Sequence, residues 1–315
     1  MEPSILEESF KERLGDLGIL PMDTLALGIS GGADSMALLH LGKSYSSKIV
    51  AITVDHALRP ESRGEAEQVS QWCGDLGVEH HILTWQGEKP ATRIQREARR
   101  ARYALMGAFC QERVIRHVLT AHHRDDQVET LFLRLLRGSG VRGLAGMAHV
   151  KSMESFQLIR PLLDIPKVEL VNYLKEKGQE FIEDPSNENL HFGRVKVRQW
   201  LSRAKDYDIE LDDVMHTMDQ AQEFREFLDG EISKIAKECL EGNSIILAPF
   251  LEVAPFLRKE FLRTYMMEHS NKDFPPRFET VEHLHTAIME GRTTTAGGFM
   301  WRVKNGRVDI VIEER

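Results

Sequence analysis

The chain has 315 residues, 42% hydrophobic and 29% charged, a balance that fits a folded protein of about two domains and excludes a disordered one. No apolar run reaches the roughly 20 residues of a bilayer-spanning helix, and the N-terminus MEPSILEESF has no basic residue to open a secretory signal. The net charge of −8 speaks against a polyanionic partner only on average, because residues 1–205 balance 28 basic against 27 acidic side chains and the window 89–142 holds 12 against 5.

The first half alternates strand and helix patterns. Strands are expected at Leu25–Ile29, Lys48–Val54, His80–Trp85 and His117–Ala121, and helices at Ser35–His40, Glu65–Leu76, Ile94–Cys110 and Gln127–Arg137. Such alternation means βαβ units, hence a doubly wound, mainly parallel α/β sheet that binds ligands beyond the carboxyl ends of its strands. On the helix from Ile94, the residues Ile94, Ala98, Ala101 and Leu105 share the stripe expected to face the core. Past about residue 205 the pattern turns mostly helical, with a net charge of −9 over 206–315. A long helix is expected over Leu211–Leu240, with Val214, Met218, Ala221, Phe224 and Leu228 on one face. Helices at Pro255–Met267 and Glu279–Glu290 and a terminal hairpin turning at Lys304-Asn305-Gly306 follow. The expected domains are therefore 1–205 and 206–315.

The three cysteines, Cys73, Cys110 and Cys239, are far apart and form no C-x-x-C, which fits a reducing cytoplasm. The sharpest local signal is Ser30-Gly31-Gly32-Ala33-Asp34-Ser35, between a strand and a helix. Its glycines let backbone N–H groups approach an anion, and the helix start adds partial positive charge. Ser30 and Ser35 are candidate hydroxyl donors to phosphate. Asp34 would repel phosphate unless a Mg²⁺ ion bridged the two, so it is a candidate metal ligand. An ordinary serine-capped turn is the plain alternative. Gly42-Lys43-Ser44 only imitates a P-loop, since Ala37 stands where that pattern needs glycine; it is expected to end a helix.

His122-His123-Arg124-Asp125-Asp126 could suggest a transition-metal site, but adjacent residues leaving a strand point to opposite sides and would hardly converge on one ion. Asp126 and Glu129 share a helix face. They could bind Mg²⁺, hold an ammonium group or accept its proton.

The S-G-G-A-D-S loop resembles that of the N-type ATP pyrophosphatases, the PP-loop superfamily. Three more segments narrow the likeness: Val54–Ser62 (VDHALRPES), Gln95–Tyr103 (QREARRARY) and Thr120–Thr130 (TAHHRDDQVET), the last continuing to Leu-Arg-Gly-Ser-Gly at 136–140 and Gly-Leu-Ala-Gly-Met at 143–147. In this order they resemble the tRNA(Ile)-lysidine synthetase family. The likeness is strong over about residues 25–200 and loose beyond, at Thr295–Gly298.

The resemblance implies ATP-dependent joining of free L-lysine to C2 of the wobble cytidine in tRNA(Ile) with a CAU anticodon, through an adenylated cytidine. It gives Asp34, Arg99, His123 (or His122), Asp126 and Glu129 to catalysis, residues 30–35 to ATP, and Arg102, Arg137, Arg194 and Arg198 to RNA. At Arg194–Arg198 the family's R-N-x-x-R keeps both arginines, but Val195 replaces the asparagine. The further C-terminal domain of longer members is not expected within these 315 residues, so recognition of the acceptor end, if that domain provides it, is expected to differ. A tRNA thiolase, a synthetase of the NAD synthetase type, or a non-enzymatic nucleotide-binding module are the alternatives. Scattered cysteines, the basic window and the costly carboxylates speak against them in turn.

Overall fold

Leu25–Gly28 (β1) and Ile49–Asp55 (β2) are buried almost throughout, as strands covered by helices on both faces must be. The computed structural model describes residues 4–90, 92, 94–136, 140–183, 197, 211–270 and 276–313. The chain divides into two compact units, Met1–Asp219 and Gln220–Arg315. The boundary expected at 205–206 lies outside the described residues.

In the first unit the order is α1 (Ile5–Asp16), β1, α2 (Ala33–Tyr45), β2, α3 (Ser62–Asp75), β3 (Glu79–Thr84), α4 (Ile94–Arg113), β4 (His117–Thr120) and α5 (Arg124–Leu135). Then come α6 (Val141–Leu144), β5 (Val150–Ser152), β6 (Gln157–Ile159) and α7 (Lys167–Lys177). The strands lie in the order β3-β2-β1-β4-β6-β5, parallel except for β5. The direction of winding reverses between β1 and β4, so a crevice opens beyond their carboxyl ends. Strand alternation sorts the core. Leu25, Leu27 and Leu119 pack with α1, α2 and α7, whereas Ala26, Val118 and Leu158 pack with Met106, Phe109 and Cys110 of α4.

Two local readings change. Gly42 lies within α2, which runs on to Tyr45. A Cβ there would stand 2.6 Å from Leu27 Cδ1, so the glycine lets helix and strand approach. On α4 the buried residues are Ala98, Met106, Gly107, Phe109 and Cys110. Ile94, at the helix start, is 40% exposed, so the core stripe begins at Ala98.

In the second unit the chain leaves α8 (Leu211–Cys239), inside which the division falls. It continues through β7 (Leu240–Glu241), β8 (Ser244–Ile246), α9 (Leu247–Glu252), α10 (Pro255–His269) and α11 (Phe278–Met289). The end is β9 (Thr294–Ala296), β10 (Phe299–Lys304) and β11 (Arg307–Ile312). Helix predominates, and the expected hairpin is the β10–β11 pair, turned by Asn305 and Gly306 at φ 51° and 71°. It belongs to an antiparallel sheet ordered β7-β8-β11-β10-β9, whose core holds Trp301, Phe250 and Phe261. On α8, Met218, Ala221 and Leu228 are buried as expected, but Phe224 is 38% exposed. Phe224 keeps the three- and four-residue spacing to Ala221 and Leu228, so helical periodicity alone does not account for its exposure.

Candidate active site

The loop after β1 is shaped by two glycines with different duties. Gly31 has φ +89°, and a Cβ there would meet Ile182 Cδ1 at 2.7 Å and Val69 Cγ2 at 2.9 Å. Ile182 also donates its amide to the Gly31 carbonyl at 2.9 Å, fixing the loop from the side. Gly32 is the N-cap of α2 with ordinary extended backbone and no side-chain cap, so no cap side chain occupies the amides of the first turn. Ser35 is buried and turned inward. Its hydroxyl donates to the Gly32 carbonyl at 2.9 Å and accepts from the Ser30 amide at 3.1 Å. It therefore ties the loop together and is not the phosphate donor expected from sequence, whereas Ser30 is exposed.

Asp34 on α2 meets the residues leaving β4. Its Oδ2 lies 3.5 Å from His123 Nε2 and 3.6 Å from Lys167 Nζ. His123, 3% exposed, is the N-cap of α5, and its Nε2 is also 3.5 Å from Asp126 Oδ2. Its Nδ1 lies 3.4 Å from Asp125 Oδ2. Burial alone would depress this histidine. The hydrogen bonds to Asp125 and Asp34 and the charge of Asp126 outweigh it and push the pKa up to about 9. The raised pKa favours the charged ring at neutral pH and makes it a poor acceptor for a further proton. Burial would raise Asp34, but His123 and Lys167 hold it below the usual carboxylate range. Asp125, hydrogen-bonded to His123, is pulled down to about 2. It also accepts the Lys167 amide at 2.8 Å, capping α7 across the chain. His122 instead contacts Thr120 Oγ1 at 3.1 Å, so the two histidines part as strand geometry requires. Among the described residues no group of three or more His, Cys, Asp or Glu is arranged to hold a metal ion.

The PP-loop domain family matches residues 4–205. A tRNA(Ile)-lysidine synthase of Ruegeria pomeroyi is 33% identical over 286 residues, 88% of this chain and 68% of the relative. The chain belongs to the tRNA(Ile)-lysidine synthase family of PP-loop proteins. Within that family, the enzyme of a Bradyrhizobium species is 46% identical over 180 residues, 55% of this chain and 50% of the relative. The chain thus spans between half and about two-thirds of the length of these lysidine synthases. A solved structure of the U34-tRNA thiolase NcsA from Methanococcus maripaludis, with its [4Fe-4S] cluster, superposes with a TM-score of 0.59 at 18% identity, covering 69% of this chain and 78% of that one. It shares the fold.

Other segments that carry the lysidine synthase likeness brace the site. Glu129 of α5 is 2% exposed, below Asp126 on the same helix. Gln127 clasps Met147, donating to its carbonyl at 2.8 Å and accepting its amide at 2.6 Å. Arg134 Nη1 donates to the carbonyls of Gly143 and Gly146, so the Gly-Leu-Ala-Gly-Met loop is held by side chains of α5. On α4, Arg99 and Arg102 are exposed. The Arg99 guanidinium lies 5.1 Å over the Tyr103 ring, and Arg102 Nη2 donates to His56 Nε2 at 3.3 Å. Burial, with Arg102 beside it, lowers His56 to about 4, so it accepts as a neutral ring. Asp55 before it is buried and accepts from the Ala57 amide and the Ser62 hydroxyl, shaping the Asp-His-Ala loop. Arg137, Arg194 and Arg198 lie outside the described residues. The sequence reading does not single out Lys167, because nothing local to it signals Asp34, 133 positions earlier. The Asp125 contact to the Lys167 amide likewise joins residues far apart in the sequence.

Proposed function

We propose that this protein joins the ε-amine of L-lysine to C2 of the wobble cytidine of tRNA(Ile) with a CAU anticodon, cleaving ATP to AMP and pyrophosphate. The observation that carries the reading is the meeting of Asp34, from the start of α2, and Asp126, from the start of α5, on His123, each 3.5 Å from its Nε2, across the strand-order switch.

The amides at the start of α2 and the exposed Ser30 hydroxyl receive the phosphates of ATP. Cytidine O2 attacks the α-phosphorus and the bond to the β-phosphate breaks, so pyrophosphate leaves and O2 carries AMP. The amine then attacks C2 and AMP departs with that oxygen. Lysine, whose unperturbed pKa is about 10.4, must lose a proton first. Asp126 and Glu129 are the acceptors; His123, already charged, holds the carboxylates in place. Arg99 meets a substrate phosphate, and Arg102, with Arg137, Arg194 and Arg198, meets RNA.

Mg²⁺ fits the loop. Asp34 Oδ1 is covered and has no hydrogen-bond partner in the protein, and a magnesium ion commonly takes one or two carboxylates with phosphate oxygens. When bound, it would neutralise phosphate charge. The three free cysteines and the absence, among the described residues, of a helix long and apolar enough to cross a membrane agree with work in the cytoplasm.

The test is steady-state pyrophosphate release from ATP. Turnover is expected only with both lysine and CAU-anticodon tRNA. Release supported by ammonia without tRNA would favour the NAD synthetase type of reaction and overturn this one.

A further inference from the structure

Arg160 follows β6 at its carboxyl end and is 3% exposed, yet it belongs to no ion pair among the described residues. Its Nη1 donates to the Ala148 carbonyl at 2.6 Å, the Tyr103 side chain lies close to it, and its Nε has no partner. A guanidinium removed from water without a counter-charge is costly, so the fold keeps it against a penalty.

What surrounds it is more positive charge. Lys151 stands opposite Leu158 on β5, and Arg160 is two residues on from Leu158. Strand alternation therefore puts Lys151 and Arg160 on one face of the sheet, diagonal neighbours at about 7–8 Å. That is the face covered by α4, where Tyr103 packs beside Leu158. Tyr103 carries the Arg99 guanidinium over its ring. Lys151 is exposed as a side chain, but partial desolvation of its ammonium, then Arg160, Arg99 and Arg134, all cations, hold it below its ordinary pKa. Arg134 spends its hydrogen bonds on the glycine-rich loop. Arg160, Lys151 and Arg99 remain as a basic cluster.

We propose that Arg160, Lys151 and Arg99, with Tyr103 between the two guanidinium groups, form a subsite for one backbone phosphate of the RNA substrate. The subsite rests on the RNA-ligase reading above. It is not the seat of the nucleotide's phosphates, because β6 lies two strands from β1, about 10 Å along the sheet. A phosphodiester there would supply the missing counter-charge and would set the RNA over the carboxyl ends of β4 and β6, beside Asp126. Arg160 then acts from below as a fixed donor, and the exposed Lys151 and Arg99 close on the phosphate from the surface.

The experiment uses the full chain, with Lys151→Glu as the surface variant and Arg160→Lys as the buried one. Affinity for the CAU-anticodon transcript is measured by filter binding from 50 to 300 mM salt, with ATP affinity measured in parallel. Lys151→Glu is expected to weaken RNA binding roughly three- to tenfold and to lower the log–log salt slope by about 0.7–0.9, the value of one phosphate contact. Arg160→Lys keeps the charge and loses the fork, so affinity is expected to fall while the slope stays. ATP affinity is expected to hold in both. RNA affinity and slope unchanged in Lys151→Glu would overturn the subsite, as would a loss confined to ATP. Wild-type protein that binds no RNA would overturn the function reading as well, which separates the two failures.

Discussion

Gly31 and Gly32 stand side by side in the nucleotide loop, and alanine should affect them in opposite ways. At Gly31 the backbone has φ +89°, where an L-residue pays about 1–2 kcal/mol. The new methyl would also press on Ile182 Cδ1 at 2.7 Å and Val69 Cγ2 at 2.9 Å. Both atoms are ends of side chains and can yield in part, so overpacking adds about 1–3 kcal/mol. Gly31→Ala is therefore expected to lose roughly 2–5 kcal/mol of stability, read as a lower urea midpoint at unchanged slope. At Gly32 the backbone is extended, φ −72° and ψ 161°, and a Cβ would find nothing nearer than 3.9 Å. Gly32→Ala should cost at most about 1 kcal/mol, from the poorer N-cap. It puts a methyl where phosphate must approach, however, so ATP affinity should fall while the fold holds. Equal destabilisation by the two variants, or unimpaired ATP binding by Gly32→Ala, would refute this division of roles.

Three further outcomes follow from the same geometry. Asp34→Asn removes a carboxylate that supports the His123 charge; adenylation should drop about 100-fold or more while the protein stays folded, and the His123 titration followed by NMR should move down from about 9. His123, raised above its ordinary 6.5, stabilises the fold fully below that pH and loses the contribution as pH rises through about 9. The difference in unfolding free energy between wild type and His123→Gln should therefore shrink between pH 6.5 and 9.5, by on the order of 3 kcal/mol; a flat difference would contradict the buried imidazolium. Gln127→Ala removes both bonds to Met147 and should cost about 1–3 kcal/mol, with faster amide exchange over Gly143–Met147.

The parallel core strands are legible because apolar runs such as Ile49–Ile52 can only be buried on both faces. The loop at 30–35 is legible because Gly-Gly between strand and helix has few other uses. Helix α1 announces itself through the reciprocal Ser4–Glu7 capping box and buried Leu6, Phe10 and Leu14, yet the sequence reading passes over it, as it does α7. Strands β5 and β6 are three residues each, too short for a periodic signal. The charge state of His123 depends on three carboxylates, one of them, Asp34, 89 positions away in the chain, and only the fold brings that one to the ring. Nothing local to Arg160, which stands before Pro-Leu-Leu, signals a buried cation. Its burial follows from α4 closing over β6, which no local pattern encodes.

The order of chemistry is the central claim, and one measurement addresses it most directly. Enzyme is incubated with ATP labelled at the α-phosphate and CAU-anticodon tRNA, first without lysine and then with it. The account predicts label on the tRNA before lysine is added, chased to free AMP afterwards. Label that waits for lysine, or that appears on lysine itself, would contradict an adenylated cytidine and with it the roles given to Asp34, Asp126 and Glu129.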